Sequence, residues 1–325
     1  MMKQPLVAVI GPTASGKTAL AVALAKALDG EIISADSMQI YRYMDIATAK
    51  PSEEEKQGIP HHLMDICAPS ERFSVARFCE LARAAVAEIA DRGRLPILAG
   101  GTGLYVDALL GGMQFTHLET DPALRREITA ELEAKGIDAM LDLIRSFDPE
   151  SAQRLSVGRN PKRIVRCLEV YRSSGMTQTE LNEKQRSAES PYRAVKLGLT
   201  AADRDFLYER INRRVDRMIE AGLVEEARRF YDGSFGETAA AAIGYKELLP
   251  YLSGEKDLAL CTESLKRATR RYAKRQLTWF KRDSAVHWFN IDVLSFEEIK
   301  AEALRLIRRE LAKAEESGER LTVNG

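Results

Sequence analysis

The chain has 325 residues, enough for about two domains, and its 45% apolar and 30% charged residues are ordinary for a globular protein with a sizeable core. Its 48 basic residues balance 48 acidic ones, so total charge selects no partner class and any nucleic-acid footprint must come from how charge is distributed. Four widely spaced cysteines (Cys67, Cys79, Cys167, Cys261) form no Cys-x-x-Cys pair, no apolar run reaches a membrane span, and the N-terminal apolar stretch carries no signal-peptide pattern; free thiols and the cytoplasm are expected.

Leu6-Val7-Ala8-Val9-Ile10 reads as a buried strand that runs straight into Gly11-Pro12-Thr13-Ala14-Ser15-Gly16-Lys17-Thr18, a G-x-x-x-x-G-K-[ST] loop. Leu20, Leu24 and Leu28 then keep helical spacing. Strand before and helix after are the context a phosphate-binding loop requires. Its glycines permit the backbone angles, and successive N–H groups make an anion nest at a helix N-terminus. Lys17 supplies a cation for phosphate oxygens, and the Thr18 hydroxyl suits a Mg²⁺ carrying that phosphate. The loop specifies a phosphate or diphosphate without saying whose.

A second strand over residues 31–35 delivers Asp36, Ser37, Met38 and Gln39 at its carboxyl end, where ligands gather in open α/β sheets. Asp36 is expected beside the cargo, with a capping or turn role as the alternative. Residues 60–66 read as another strand entry. The adjacent His61 and His62 lack a third ligand at metal-like spacing, so hydrogen-bonding roles are expected. Ser74 can cap a helix to about Arg92. A strand over residues 95–99 ends in Gly100-Gly101-Thr102-Gly103, a second glycine-rich turn that would project Thr102 into the same crevice as Asp36.

From Gln114 no β pattern recurs until Ala194. Asp121-Pro122 starts a helix with Leu124, Ile128 and Leu132 on one stripe, and Gly136 stops it. A short apolar helix follows, and Asn160-Pro161 starts another that carries Ile164, Val165, Leu168 and Tyr171. After a strand over residues 194–199 come helices over 203–221 and 224–231 and a turn-rich Ala242-Ile243-Gly244-Tyr245-Lys246. A further helix, a last strand over 286–291, a closing helix over 295–313 and a frayed tail over 315–325 complete the chain. Five strands alternating with helices imply an α/β fold, a P-loop NTPase-like parallel sheet flanked by helices, with an all-helical insertion domain. The boundaries read as core 1–113, insertion 114–196 and core 197–325. The insertion is expected to rise over the strand ends, facing the P-loop.

Two segments break the neutral average. A helix over residues 263–283 carries Lys266, Arg267, Arg270, Arg271, Lys274, Arg275, Lys281 and Arg282, and the insertion carries Arg159, Lys162, Arg163, Arg166 and Arg172 around a lone Glu169. Basic helices on a neutral protein are the footprint of a polyphosphate backbone. Tyr272, Trp279 and Phe280 interleave in the first, either to stack on bases or to fill the core. Arg210, Arg214 and Arg217 share one helical face, from which one or two could reach a diphosphate.

GPTASGKT, ADSMQIY, TAKPS, PHHLMDI, GGTGLYV, PKRIVRCLEVY, AAIGYKE and RRYAKRQLTWFKRD occur in this order. Together they resemble the bacterial tRNA dimethylallyltransferases, the tRNA isopentenyltransferase (IPP transferase) family, over residues 6–292. The resemblance implies transfer of a dimethylallyl group from dimethylallyl diphosphate to N6 of adenine 37, beside the anticodon, in tRNAs reading codons that begin with U. It implies a Mg²⁺-assisted monomer that meets the tRNA anticodon stem-loop. Asp36 would be the general base and Thr102 would help hold substrate, while Gly11, Pro12, Thr13, Ala14, Ser15, Gly16, Lys17 and Thr18 would cradle the diphosphate, with Arg210 and Arg214 near it. Asp36, Ser37, Met38 and Gln39 match tRNA-contacting positions. So do Thr102, Arg125, Lys162, Arg163, Ile164, Val165 and Arg166, and the run Ala241, Ala242, Ile243, Gly244, Tyr245 and Lys246. The sequence departs from the family at Ala47, where Gly is frequent, and at Ala241, where a polar residue is common. A P-loop small-molecule or nucleotide kinase is the main rival; a regulatory GTPase would need an N-K-x-D motif, and a pure RNA-binding module would leave the P-loop and Asp36 idle.

Overall fold

The structure is a computed structural model that describes residues 3–113, 115, 121–185, 189–231, 235–240 and 242–316. It divides into two compact units, Met1–Leu110 with Pro191–Gly325, and Gly111–Ser190. The first unit begins with β1 (Gln4–Ile10), α1 (Lys17–Ala27), β2 (Gly30–Ser34), α2 (Glu53–Lys56), β3 (His61–His62), α3 (Val75–Asp91), β4 (Leu95–Gly100) and α4 (Gly103–Leu110). The second unit is α5 (Pro122–Phe147), α6 (Pro149–Gly158), α7 (Pro161–Ser174) and α8 (Gln178–Gln185). The chain then returns as β5 (Tyr192–Thr200), α9 (Arg204–Glu220), α10 (Leu223–Arg228), α11 (Glu237–Ala240), α12 (Tyr245–Leu252), α13 (Leu258–Phe280), β6 (Val286–Asn290) and α14 (Phe296–Glu316).

The six strands form one sheet in the order β3-β2-β4-β1-β5-β6, every neighbouring pair parallel. Parallel neighbours need crossovers, and helices on both faces turn strands into continuous apolar runs. β1 follows that rule: the six residues from Pro5 to Ile10 are buried, and Gln4 ahead of them is half-buried. Val7 and Val9 pack with Leu20 and Leu24 of α1, Ile97, Leu197, Phe289 and, from α14, Ile299 and Ile307. Burying each such side chain contributes roughly 1.5–3 kcal/mol.

The helix signals work as the residues dictate. Ser74 Oγ accepts from Arg77 N at 3.2 Å and opens α3, and Asp121, ahead of Pro122, accepts from Ala123 N at 2.7 Å and opens α5. Gly136, where the sequence ends the first helix of the insertion, breaks α5 with φ 80° and ψ 167°. Four differences from the sequence reading stand out. The sheet has six strands, the sixth being the two-residue β3 at its edge. β5 starts at Tyr192, so the return to the sheet precedes residue 196. α10 ends at Arg228. The basic helix α13 starts at Leu258, because Asp257 caps it on Leu260 N at 2.8 Å, and ends at Phe280, before Lys281. Gln114, Ala241 and residues 317–325 of the tail lie outside the described residues.

The second unit has its own core, with Ile128, Leu132, Met140, Ile144, Ile164, Val165 and Leu168. Phe147 stacks on Tyr171 with centroids 3.8 Å apart. Asp148 caps α6 through Ser151 N at 3.0 Å and accepts from Thr179 Oγ1 at 2.7 Å, joining α6 to the start of α8. All four cysteines are free and buried. Among the described residues no helix is long and apolar enough to cross a membrane.

Candidate active site

β1, β4 and β2 end side by side, with Ile10 opposite Gly100 and Ser34 opposite Ala99. The turns that leave them enclose a cavity of about 270 Å³ in the first unit. Thr13, Lys17 and Thr18 line it from the P-loop, Asp36 to Gln39 from the turn after β2, and Gly100 and Gly101 from the end of β4. Ala47, Thr48 and Ala49 form another wall, together with Ala242, Ile243, Gly244 and Lys246; Arg214 and Met218 enter from α9.

The P-loop backbone is fixed from outside as well as from within. Gly11 has φ 142°, and a Cβ there would sit 2.4 Å from Leu199 O, so no side chain fits. Ala14 holds a left-handed φ of 63°, and its carbonyl accepts from Arg210 Nε at 2.9 Å. Ser15 Oγ donates to Pro12 O at 2.8 Å, and Thr13 N donates to Gln276 Oε1 at 2.8 Å. Lys17 Nζ donates to Pro12 O at 2.6 Å. Burial, and next the Arg214 guanidinium, bring the Lys17 ammonium down to about 7, against the pull of Asp36.

Asp36 makes a turn and also faces the cavity. Its Oδ1 accepts from Met38 N at 2.9 Å and Gln39 N at 3.4 Å, an Asx-type turn, while the residue lines the cavity. Its charge is felt by Lys17, Arg214 and Tyr272. A carboxylate and two cations thus share one cavity. Thr102 lies one step back: its Oγ1 accepts from Ser37 N at 3.0 Å, and it does not line the cavity. Thr102 N donates to Ala35 O at 3.1 Å, which turns the side chain onto the β2 turn.

The arginines of α9 divide. Arg214 lines the cavity, where burial lowers its pKa and Asp36 opposes that effect; Arg210 is committed to the P-loop backbone, and Arg217 is exposed. α13 contributes more than the sequence reading assigned. Leu265, Thr269, Tyr272 and Gln276, at spacings of four, three and four, form a cavity wall. Gln276 bridges two turns: Oε1 takes Thr13 N, and Nε2 donates to Gly101 O at 2.9 Å. Burial, and then Asp36, push the Tyr272 phenol up, and its hydroxyl reaches the Thr102 side chain. Phe280 is core. Trp279 packs on Gly103, donates to Asp107 Oδ2 at 2.8 Å and is covered by Arg282 at 4.1 Å, so its ring is already occupied. The outward stripe of α13 is Arg267, Arg271 and Lys274, exposed and without an acidic partner among the described residues.

His62 and His61 serve other ends. His62 Nε2 meets Glu31 Oε2 at 2.6 Å, while His61 Nδ1 meets Ile59 O at 2.8 Å. Burial alone would raise Glu31, but hydrogen bonds from His62, Arg92 and Arg94 bring it down to about 2. In the second unit, the side chains of Ile164 and Val165 are in the core, so a ligand meeting α7 finds Lys162 and Arg163, which are exposed. Arg125 and Arg166 both bind Glu169 Oε2, at 3.3 and 2.9 Å, and Glu169 is fully buried. Ala241 lies outside the described residues, while its neighbours Ala242, Ile243, Gly244 and Lys246 line the cavity and Tyr245 points its hydroxyl to Glu226. Among the described residues no cluster of three or more His, Cys, Asp or Glu is assembled to hold a metal. The Thr18 hydroxyl lies at the cavity beside Thr13 and Lys17.

A family model described as IPP transferase matches residues 39–283. A tRNA dimethylallyltransferase of Halalkalibacterium halodurans is 47% identical over 298 residues, 91% of this chain and 94% of that one. Its counterpart in Bacillus subtilis is 47% identical over 290 residues, 89% and 91% of the two chains. Among solved structures, the full-length tRNA isopentenylpyrophosphate transferase of Bacillus halodurans is 44% identical, with a TM-score of 0.73 over 98% of this chain and 100% of that one. A eukaryotic dimethylallyltransferase acting on tRNA superposes with a TM-score of 0.79 at 28% identity, over 98% of this chain and 81% of that one.

Proposed function

The chain belongs to the IPP transferase family, and from that premise we propose that it transfers the dimethylallyl group of dimethylallyl diphosphate to N6 of adenosine 37 in the anticodon loop of tRNA. The observation that carries the reading is the single cavity that holds a carboxylate, Asp36, together with Lys17 and Arg214. A phosphoryl-transfer enzyme and a prenyl-transfer enzyme can share a P-loop. Both can use a carboxylate base and cations around a departing diphosphate; membership of the IPP transferase family selects prenyl transfer to an acceptor nitrogen.

The adenine amino nitrogen is a poor nucleophile because its lone pair is delocalised into the ring. As the N6–C1 bond forms, the C1–O bond to diphosphate breaks and its electron pair leaves on oxygen; the N6 proton passes to Asp36. The Asx turn aims the Asp36 carboxylate by tying Oδ1 to Met38 N and leaves its other oxygen for that proton. Negative charge growing on the diphosphate is met by Lys17, Arg214 and the amides of the loop, all fixed before the reaction begins. Thr18 would hold a Mg²⁺, which supplies further charge neutralisation when bound. The target base must leave its stack, at a cost of a few kcal/mol that is smaller in a flexible loop. Lys162, Arg163, Arg125 and Arg166 are basic residues of the second unit suited to the RNA backbone.

The test supplies unmodified tRNA with labelled dimethylallyl diphosphate or with γ-labelled ATP. Label is expected to pass from the prenyl donor to an adenosine in RNA. Phosphate transfer to an acceptor without prenyl transfer would refute the assignment in favour of a kinase.

A further inference from the structure

Glu226 is a carboxylate the reaction does not touch. It lies in α10, is 5% exposed and does not line the cavity. Both its oxygens are nevertheless filled with donors. Oε2 accepts from Asp45 N at 2.9 Å and Ile46 N at 2.8 Å; Oε1 accepts from Ala47 N at 2.9 Å and from Tyr245 Oη at 2.8 Å. Three successive backbone N–H groups converging on one anion make the kind of nest by which proteins hold phosphate. Here the protein supplies the anion itself. No lysine, arginine or histidine pairs with Glu226 among the described residues, so backbone and phenol dipoles alone compensate its burial. Mere packing would be served by a leucine at far smaller desolvation cost.

The four donors come from two walls of the cavity. Ala47, Thr48 and Ala49 follow directly from the bound amides, while Ala242, Ile243 and Gly244 lead into Tyr245. The walls also touch: a Cβ built on Gly244, whose φ is 125°, would come within 3.1 Å of the Ala47 Cβ. The far end of the first wall is held as well, because Gln39 Nε2 donates to Thr48 O and Ala49 O, each at 3.2 Å. Gln39 lies three residues beyond Asp36, and its N–H donates to Asp36 Oδ1 at 3.4 Å. The wall is thus strung between Glu226 on its N–H side and the Asp36 turn on its C=O side.

We propose that Glu226 is a positioning residue for the acceptor nucleoside: by clamping residues 45–47 to Tyr245 it sets the separation of the two walls between which the adenine enters. The proposal rests on the reading that this cavity receives a tRNA adenosine. It places specificity for the acceptor partly in a buried side chain that never meets RNA, while Lys17, Thr18 and Arg214 hold the donor independently of it.

Glu226→Gln replaces one acceptor with an amide that confronts backbone N–H groups, and Tyr245→Phe removes one donor and leaves the carboxylate on its three amides. Steady-state kinetics should show KM for tRNA raised about tenfold in Glu226→Gln and less than threefold in Tyr245→Phe. KM for dimethylallyl diphosphate should stay within twofold of the unaltered protein in both. Hydrogen exchange at the amides of Asp45, Ile46 and Ala47 should accelerate in Glu226→Gln. An unchanged KM for tRNA, a parallel rise in both KM values, or unchanged exchange at these amides overturns the proposal. If the unaltered chain prenylates no tRNA while the exchange difference is present, the clamp stands and the reaction assignment falls.

Discussion

At the scale of the residue, Asp36 and Lys17 carry separable burdens. Asp36→Asn keeps the Asx turn, because an amide oxygen still accepts from Met38 N, but it cannot take a proton. Turnover should fall by about 10²–10⁴-fold, the usual worth of a positioned base, with tRNA affinity little changed; activity within tenfold of the unaltered protein would remove Asp36 from the role of base. Lys17, held at about 7, is only part-protonated near neutral pH. A bound diphosphate favours its ammonium and raises its pKa. The affinity it contributes is therefore complete below about pH 7 and is lost as pH rises through the higher pKa of the complex. Calorimetry at pH 7.5 in buffers of different ionisation enthalpy should detect proton uptake on donor binding, and Lys17→Met should abolish it. Equal heats in the two buffers before any substitution would contradict the assignment. Which arginine joins Lys17 is not legible in the sequence. Arg210 and Arg214 are one turn apart, and only the position of α9 against the loop sends one to the Ala14 carbonyl and the other into the cavity.

At the scale of the element, α13 has two faces. Its inward side chains, Leu265, Thr269, Tyr272 and Gln276, mix apolar and polar types, so no hydrophobic stripe announces that this face lines a cavity. The arginines and lysines dominate the pattern instead. Gln276→Leu would strip Thr13 N and Gly101 O of their partner together. A loss of about 1–3 kcal/mol in stability is expected from the two abandoned backbone groups, with a raised KM for the prenyl donor because the P-loop loses an anchor; a donor KM unaffected by the change would show that the loop holds its shape without α13. The outward stripe makes a different forecast. If Arg267, Arg271 and Lys274 meet RNA phosphates, changing all three to Gln should flatten the slope of log affinity for tRNA against log salt by about 2–3. An unaltered slope would assign the stripe to solvent. The strands were easier to read than this helix. β1, β2, β4, β5 and β6 hold apolar residues between turn signals, whereas β3, within the strand entry read over residues 60–66, is only two partly buried histidines paired with Ile32 and Ile33.

For the molecule as a whole, acid stability should depend on Glu31. It is buried at the start of β2 and joins His62, Arg92 and Arg94 to one carboxylate. Its pKa of about 2 lies below the ordinary 4.5, so the stability it contributes is present above about pH 4.5 and is lost as pH falls toward 2. Glu31→Gln should cost about 2 kcal/mol near neutrality, less than the roughly 3–5 kcal/mol of a fully buried pair because both guanidiniums are part-exposed. The gap in Tm between this variant and the unaltered protein should narrow between pH 5 and pH 3; a constant gap would mean that packing, not charge, is lost. The division into an α/β unit and a helical unit was legible, because the β pattern stops and later resumes. The closing boundary was not, since Tyr192 and Arg193, the first two residues of β5, do not extend the apolar pattern that begins at Ala194.

The order of the strands also bears on how the protein is made. β1 lies between β4 and β5, yet β5 follows the whole helical unit in the chain. A ribosome must deliver that unit before β1 can acquire its second neighbour. Its separate core gives the nascent chain something to fold while the half-built sheet waits with an open edge, the condition in which strands are prone to mispair. Cavity walls drawn from residues as far apart as Thr13 and Gln276 mean that the cavity closes only near the end of synthesis. A chain stalled before α13 would carry the complete P-loop motif and lack the wall that anchors it.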